Sequence, residues 1–354
     1  MTKTIGVCGN YAAGSGAFLD LLYEFDDAQL LIEKEFMFTY LPDGLEDLDY
    51  YINNYHKYFS SVVAINRFRK FIKSQGRRFG IKKEIIKLTE GFLSKIILLS
   101  WEGHGYVDMF IRSSAEIFIK RSIFTLAKIT RFGKLSRFYL CLFPHKIEFS
   151  IMPEGFDSAA KQFTSDILDA IGRDINKVTV LDQPFEACNP IKSFKYFDNP
   201  KAIIVDRDPR DLYLFLKCFV RPKGMEGYQV PCDNVDDFIK YYHIIHKKPS
   251  GLENREDLLY INFEKLIYDY DNTVEQIKSF AQVSQHMHKG KYFKPAHSRN
   301  NTQLFKKYSG FESDIKKIET ELYEYLFPFD KYPDIQPEGK MFWDNPIKKQ
   351  VNND

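Results

Sequence analysis

The residues best suited to chemistry begin at a glycine-spaced loop near the start of the chain. Gly9, Gly14 and Gly16 lie in the run Gly-Asn-Tyr-Ala-Ala-Gly-Ser-Gly, directly after the apolar run Thr4–Cys8 and before a helical pattern. Backbone amides at such a strand-to-helix turn, together with the helix dipole, bind phosphate groups. The loop at residues 9–16 (the phosphate loop) therefore predicts an anion site, although a glycine turn in an α/β protein that binds no nucleotide has the same spacing.

The end of the phosphate loop argues against a site for a magnesium–nucleoside triphosphate complex. Such a site requires a Gly-Lys-[Ser/Thr] sequence, whose lysine reaches the outer phosphates and whose hydroxyl binds Mg²⁺. Ser15 and Gly16 occupy those two positions here. The loop is thus predicted to hold a phosphate donor that is used without a metal, and a nucleotide kinase or other phosphotransferase is the less favoured alternative.

A second set of charged residues follows another apolar run. Ala202–Val205 leads into an Asp-Arg-Asp-Pro-Arg-Asp sequence, in which Asp208 suits a helix N-cap and Pro209 suits the first helical position. Arg207 follows the carboxyl end of the predicted strand, where α/β sheets bind ligands, and its planar guanidinium fits phosphate oxygens. An ion pair between Arg207 and Asp211 is the alternative interpretation.

Short apolar strands that alternate with helices would position these turns. Besides Thr4–Cys8 and Ala202–Val205, the runs Val178–Leu181 and Leu258–Asn262 have this character. The pattern predicts an α/β fold with a mostly parallel central sheet flanked by helices. We expect one domain at residues 1–332, with a basic helical insertion at about 60–150, and a C-terminal tail at 333–354.

Composition and charge narrow the class of protein. The 354 residues are 44% hydrophobic with a net charge of only +2, which fits a globular domain. Between Ser61 and Ser150, however, 18 Lys and Arg stand against 6 Asp and Glu, so an anionic partner is expected there. The five scattered cysteines indicate neither a disulfide framework nor a zinc site, and the short apolar run at the N-terminus leads us to expect a cytoplasmic protein.

Taken in order, these motifs resemble the sulfotransferase superfamily, which uses PAPS (3′-phosphoadenosine 5′-phosphosulfate). The phosphate loop is similar to the family's 5′-phosphosulfate loop, and the turn at Arg207 is similar to its 3′-phosphate motif. Residues 259–277 and the late loop at residues 297–302 are similar to the segments that follow in these enzymes, the bacterial and carbohydrate members above all. The resemblance implies the same fold and PAPS as donor without a metal. It implies donor contacts from Asn10, Ala12, Ala13, Gly14, Ser15, Gly16, Arg207 and Arg299.

A further likeness suggests a catalytic base. Sugar-modifying members carry a Lys-Glu-x-x-Phe segment after their second strand, and Lys34, Glu35 and Phe38 reproduce it here. The resemblance implies that Glu35 removes the proton of the acceptor hydroxyl. Neighbouring apolar residues would partly desolvate this carboxylate, as suits a general base. The alternative is a surface carboxylate paired with Lys34.

Two positions depart from the family pattern. The basic residue usual in the phosphate loop falls at Ala12, which removes the main cation that stabilises the leaving phosphate. Lys34 could replace it from the neighbouring strand end. The serine usual eight residues after the motif arginine falls at Phe215, which removes a hydroxyl contact to the 3′-phosphate. A non-catalytic nucleotide- or glycan-binding protein on the same scaffold therefore stays open.

The acceptor and its contacts are the least specified part of the prediction. Asp182 and Gln183 end a predicted strand and could contact nucleotide or acceptor, or only cap the next turn. His104 lies between basic helical segments and could line the acceptor entrance. The base segment favours a saccharide hydroxyl, with a sterol or other lipid alcohol as rival, and the basic insertion could rest on a membrane surface. The histidine spacing predicts no metal site, and no nucleic-acid-binding signature accompanies the charge.

Overall fold

The computed structural model describes residues 3–54, 58–103, 113–129, 144–220, 230–247, 249, 251–252 and 255–339. The chain divides into two compact units. Unit 1 combines residues 1–36, 173–194 and 198–354, and unit 2 combines residues 37–172 and 195–197. The helical insertion expected at about 60–150 falls within unit 2. The description of residues 1–332 as one domain stays a prediction.

The bounds of the regular elements follow the alternation expected from the sequence. The strands are β1 (Thr4–Gly9), β2 (Ala28–Leu30), β3 (Leu99–Gly103), β4 (His145–Phe149), β5 (Val178–Asp182), β6 (Pro200–Asp206) and β7 (Leu258–Asn262). The α-helices are α1 (Ser15–Leu22), α2 (Leu45–Asp49), α3 (Tyr58–Arg78), α4 (Glu84–Ile96), α5 (Ser114–Ile129), α6 (Phe156–Ala170), α7 (Ile191–Phe194), α8 (Pro209–Phe215), α9 (Val235–Ile245), α10 (Phe263–Tyr268), α11 (Tyr270–Ala281), α12 (Pro295–Ser298) and α13 (Glu312–Glu321). Short π-helices are Tyr50–Asn54 and Leu216–Val220, and 3₁₀ turns are Arg299–Asn301, Leu304–Lys306, Tyr323–Tyr325 and Phe329–Lys331.

Unit 1 contains a five-stranded sheet in the order β2-β5-β1-β6-β7, and all of its pairs are parallel. This arrangement confirms the predicted α/β class with a parallel central sheet. The strand β1 lies between β5 and β6, which come much later in the chain, so the strand order reverses at β1. Because the carboxyl ends of parallel strands share one edge, the turns after β1, β5 and β6 are neighbours, and such a switch point is where α/β sheets bind ligands.

The sheet forms because its strands are covered on both faces. Ile5, Val7 and Cys8 of β1 are completely buried, as expected for a central strand of a parallel sheet. Helix α1 buries Phe18, Leu21 and Leu22 against the same core, at a spacing that gives one apolar helix face. Helix α8 begins as predicted, since the Asp208 carboxylate accepts the Arg210 amide and Pro209 holds the first helical position.

Unit 2 holds helices α2 to α6 and the antiparallel pair β3–β4. The rings of Phe92 and Phe163 stack with their centroids 4.9 Å apart, and Phe68 meets both of them. The sequence predicts only helix in this region, because β3 and β4 are short and lie far apart along the chain. In the described ranges, no helix has the length and apolar character needed to span a bilayer.

Candidate functional site

The phosphate loop joins β1 to α1 and owes its shape to Gly14. This residue adopts the left-handed conformation with φ 93° and directly precedes α1. A Cβ atom there would lie 2.6 Å from the ring of Phe263, so only glycine fits. The amides of Ser15 and Gly16 begin α1, where the first backbone N–H groups of a helix have no partner within the helix. The loop therefore presents amides and the positive end of a helix dipole to an anion.

Gln183, directly after β5, holds the phosphate loop from the side. Its side-chain oxygen accepts the Gly9 amide at 3.1 Å, and its side-chain nitrogen donates to the Ser15 hydroxyl at 3.3 Å. Its own amide donates to the Val7 carbonyl at 2.9 Å, and its φ of 50° turns the chain sharply at the strand end. Gln183 thus contacts both ends of the loop and fixes its width.

Arg207 lies behind the phosphate loop rather than in open solvent. Its guanidinium is stacked on the rings of Phe215 and Phe263, and the residue is 4% exposed. One terminal nitrogen donates to the Ala12 carbonyl at 3.2 Å and the other to the Asn301 carbonyl at 2.6 Å. The guanidinium therefore joins the phosphate loop to the late loop. Contact between Arg207 and a phosphate stays a prediction.

The Nε atom of Arg207 is buried and has no hydrogen-bond partner among the described residues. Burial lowers the pKa of the guanidinium, while the nearby carboxyl groups of Asp211, Glu264 and Asp208 act in the opposite direction. The alternative ion pair with Asp211 does not form, because that carboxylate instead accepts the amides of Gln303 and Leu304 at 2.7 Å each.

The late loop is held by its own network of hydrogen bonds. Arg299 donates to Asp334 at 2.9 Å and to the Thr302 carbonyl at 3.3 Å, and its guanidinium lies over the Tyr268 ring. Arg299 is buried, so in this conformation it braces the loop. Its predicted contact with the donor stays a prediction. The start of the predicted tail packs here too, since the Glu338 amide donates to the Ala296 carbonyl.

Three carboxyl groups are buried beneath this loop junction. Asp208, Asp211 and Glu264 are all completely inaccessible. Burial, reinforced by Asp208, raises the pKa of Asp211 to about 7, and burial raises the pKa of Glu264 well above its ordinary value. One oxygen of Glu264 accepts the Asp208 amide at 3.0 Å, and the other has no partner among the described residues. A protonated Glu264 is therefore the form that the fold favours.

The chain reaches Glu35 along the carboxyl end of β5. The Phe36 amide donates to the Asp182 carbonyl at 2.6 Å, which places Glu35 beside the strand end that precedes Gln183. Phe36 is completely buried, Glu35 is half-buried and Lys34 is exposed. The backbones of Glu35 and Asp182 thus approach the phosphate loop from the side opposite to Arg207, across β1. Their catalytic and acceptor-binding roles stay predictions.

Two cavities adjoin these loops. One, of about 240 Å³, lies at the carboxyl ends of β6 and β7 and is lined by Asn10, Asp206 and His246. The second, of about 360 Å³, lies beside the late loop; its lining includes Lys291, Lys294, His297, Ser298 and Asn301. Asp20 lines it as well, and Asn301, in its wall, also accepts a hydrogen bond from Arg207 through its carbonyl.

Two histidines have carboxylate partners instead of a metal-binding arrangement. His246 meets Asp206 at 2.9 Å, and His286 meets the buried Glu24 at 2.9 Å. No group of three or more metal-binding side chains occurs within the described ranges. His104, the predicted acceptor contact, lies outside the described residues.

The residues that hold the loops together show no pattern in the sequence that predicts this role. For Gln183, the sequence left open whether the side chain contacts a ligand or only caps the next turn. No neighbouring residue indicated that Asp211 binds the amides of the late loop, or that Lys291 and Lys294 line a cavity beside it. A glutamine at the strand end opposite a glycine loop is the one hint that the sequence contained. Ala12, expected to be a weak point, has φ 61° and directs its carbonyl to Arg207.

Comparisons with known proteins give a distant likeness to a solved structure. No protein-family model matches the chain, and no curated protein matches it. Among solved structures, the sulfotransferase domain from the curacin biosynthetic pathway is similar to this chain. The alignment covers 93% of this chain and 99% of that domain, at 13% sequence identity and a TM-score of 0.42.

Proposed function

We propose that this chain is a sulfotransferase that moves the sulfuryl group of PAPS to an acceptor hydroxyl. The observation that carries the proposal is the position of Arg207, which binds both Ala12 of the phosphate loop and Asn301 of the late loop. The three segments expected to hold the donor thus meet at one side chain. A donor with phosphate groups at two ends of a nucleoside needs such a convergence of loops.

The amides at the start of α1 bind the 5′ end of the donor in this proposal. Ala12 brings no positive charge, but the Arg207 guanidinium lies against its carbonyl and places a cation behind the loop. The ribose 3′-phosphate would lie by Arg207 and Arg299, as the family resemblance implies. Lys291 and Lys294, which line the cavity beside Asn301 together with Asp20, would add positive charge there. Positive charge would then reach both ends of the donor without a metal ion.

The acceptor side would lie across β1, at Glu35 and Asp182. PAPS supplies, when bound, a sulfuryl group attached to a phosphate that can leave. Glu35 takes the proton of the acceptor hydroxyl, and Lys34 is the neighbouring cation available to the leaving phosphate. The bond between the Phe36 amide and the Asp182 carbonyl supports this, because Glu35 then adjoins the end of β5, where the next residue, Gln183, binds the phosphate loop.

A saccharide hydroxyl is the acceptor we favour, since Lys34, Glu35 and Phe38 resemble the base segment of sugar-modifying sulfotransferases. A sterol or other lipid alcohol is the second class to test. Asp182 and His104 are the proposed acceptor contacts. We propose neither a metal cofactor nor a nucleic-acid partner.

Calorimetry with PAP, ATP, and ATP plus Mg²⁺ tests the donor. We expect the full chain to bind PAP without metal, and to bind it more tightly than AMP, which lacks the 3′-phosphate. Selective binding of ATP with Mg²⁺ would instead indicate a phosphotransferase. Lys291→Ala with Lys294→Ala should reduce the ratio of PAP affinity to AMP affinity. Lys240→Ala, at an exposed position of α9 in the same unit, should leave that ratio unchanged.

Transfer from radiolabelled PAPS to a panel of saccharides and lipid alcohols tests the reaction. Glu35→Gln should lower turnover at least about 100-fold, the scale of a lost general base, and leave PAP affinity unchanged. Glu33→Gln, an exposed carboxylate two residues earlier, is the matched control and should retain turnover. Turnover that survives in Glu35→Gln would remove Glu35 as the base. PAP binding with no transfer to any acceptor would favour a binding protein.

A further inference from the structure

Helix α5 (Ser114–Ile129) in unit 2 carries an apolar stripe on its exposed side. Phe118 is 71% exposed, Ile129 is 73% exposed, and Ile119 is 46% exposed. These residues lie at helical spacing and therefore share one face. The outer stripe of α5 consists of Ala115, Phe118, Ile119, Ser122, Leu126 and Ile129. Large apolar side chains that are exposed together on one helix face indicate an interaction surface.

The side of α5 that carries Glu116 and Lys120 differs from the outer stripe, although Phe124 on that side is 41% exposed. Lys120 is only 7% exposed, and Glu116 lines a cavity of about 370 Å³ with Arg69 and Glu148. The helix start is fixed locally as well. The Glu116 carboxylate accepts the Ser113 amide at 2.8 Å while the Ser113 hydroxyl accepts the Glu116 amide at 3.3 Å, which is a capping box. The outer stripe therefore lies away from the side of the helix that holds the buried Lys120.

The charge of the sequence segment that contains α5 decides which partner fits the outer stripe. Residues 61–150 contain 18 Lys and Arg against 6 Asp and Glu, a net charge of +12. Arg121, within the helix, is exposed. A second copy of the chain would bring two such segments together against their mutual repulsion. An anionic surface would gain attraction from the charge and burial from the stripe.

We propose that the outer stripe of α5 binds an anionic lipid bilayer, with the helix lying in the plane of the interface. At 16 residues the helix is about 24 Å long, at roughly 1.5 Å per residue, and it presents apolar residues on one side with basic residues in the same segment. That combination is typical of interfacial helices, whose binding grows with buried apolar area and with attraction to anionic headgroups. The proposal does not depend on the sulfotransferase activity.

Vesicle flotation of the full chain tests this binding. We expect the chain to float with phosphatidylcholine vesicles that contain phosphatidylglycerol, and to float at least about tenfold less with phosphatidylcholine alone. Raising the salt from about 0.1 M to about 1 M should weaken the binding, because the Debye length falls from about 10 Å to about 3 Å. Equal binding to both kinds of vesicle, or to neither, contradicts the proposal.

Paired variants distinguish binding by the outer stripe from non-specific binding by other exposed apolar residues. Phe118→Ser with Ile129→Ser should reduce the vesicle-bound fraction about tenfold or more, because two large apolar side chains leave the interface. The control Ile175→Ser with Ile244→Ser removes two side chains that are 70% and 71% exposed elsewhere, and should float as the parent does. Circular dichroism checks that both pairs fold. An equal loss in both pairs contradicts the proposal.

A charge variant keeps the proposal testable if the stripe variant fails to fold. Arg121→Glu should weaken binding to anionic vesicles and reduce its salt dependence, whereas Lys240→Glu should do neither. Sedimentation velocity tests whether a second copy of the chain binds the outer stripe. A dimer that Phe118→Ser with Ile129→Ser abolishes, in a chain that does not bind anionic vesicles, would show that the stripe binds a second copy. That result would overturn the proposal.

Discussion

Gln183 shows how one side chain can fix a loop that backbone bonds leave open. The phosphate loop has one internal bond across its turn, from the Ala13 amide to the Asn10 carbonyl. Gln183 adds two more, to Gly9 at one end of the loop and to Ser15 at the other. A loop held at both ends loses less conformational freedom when an anion arrives, and binding is stronger for that reason.

Replacing Gln183 with Leu should therefore weaken PAP binding about tenfold, which corresponds to one or two hydrogen bonds at about 1 kcal/mol each. Leucine has a similar size but cannot bond to Gly9 or Ser15. Calorimetry with PAP measures the change. Gln162→Leu, at an exposed position that bonds only to Asp166, is the control and should leave the affinity unchanged. An unchanged affinity in Gln183→Leu would show that the loop keeps its shape without the clamp.

The hydrogen bonds from Gln183 and Arg207 to the phosphate loop could not be predicted, because their partners are distant in sequence. Gln183 lies 174 residues from Gly9, and Arg207 lies 195 residues from Ala12. Periodicity and turn chemistry report on neighbours along the chain, so they identified the strands and the loop but not which side chains cross between them. The turn after β1 and the turn after β6 lie side by side because these strands pair, with Gly9 opposite Val205.

At the scale of elements, the site is positioned by β1, the phosphate loop and α1, and the loop packs against the start of α10. Phe263, the first residue of α10, fills the space where Gly14 would carry a Cβ, and it also lies under the Arg207 guanidinium. The close approach of the loop to α10 is thus what brings Ala12 within reach of Arg207. A bulkier residue at position 14 would push these elements apart.

Gly14→Ala should consequently lower the free energy of unfolding by more than the left-handed conformation alone explains. Gly172 is the matched control, because its φ of 97° is close to the 93° of Gly14 while a Cβ there meets nothing within 4 Å. We expect Gly172→Ala to cost about 1 kcal/mol of unfolding free energy, and Gly14→Ala to cost about 1–3 kcal/mol more through overpacking. Urea denaturation measures both.

Adding Phe263→Leu to Gly14→Ala should return part of the difference, since the smaller side chain leaves room for the new methyl group. If both glycine variants lose the same free energy of unfolding, the contact with Phe263 does not determine the loop position.

The packing of Gly14 against Phe263 was predictable from the sequence only in part. The glycine spacing predicted a tight turn, but the aromatic residue that enforces it comes from a helix far along the chain.

At the scale of the whole of unit 1, the buried carboxyl groups tie together segments from its middle and its end. Asp208 accepts the amide of Phe327, and Asp211 accepts the amides of Gln303 and Leu304. Glu264 accepts the amide of Asp208 and so joins α10 to the start of α8. Each bond satisfies a backbone group that burial would otherwise leave unpaired. The cluster therefore contributes to folding as well as to the position of the late loop.

The cost of this arrangement is a dependence of stability on pH, and its sign follows from Glu264. Burial raises the pKa of Glu264 in the folded chain well above the ordinary value of 4.5. Between these two pKa values the folded chain keeps a proton that the unfolded chain has released. Stability from this group is complete below the unfolded pKa and is lost as pH rises through the folded pKa. The slope for one such proton is about 1.4 kcal/mol per pH unit.

Glu264→Gln should remove that slope, because the amide oxygen can still accept the Asp208 N–H while nothing titrates. Urea denaturation at pH 5, 6 and 7 should show the variant gaining on the parent by about 1 kcal/mol per pH unit as pH rises. Glu321→Gln, an exposed carboxyl near the end of α13, should follow the parent at each pH. If the parent and Glu264→Gln lose stability in parallel, Glu264 is ionised in the folded chain, where the buried Arg207 guanidinium lowers its pKa.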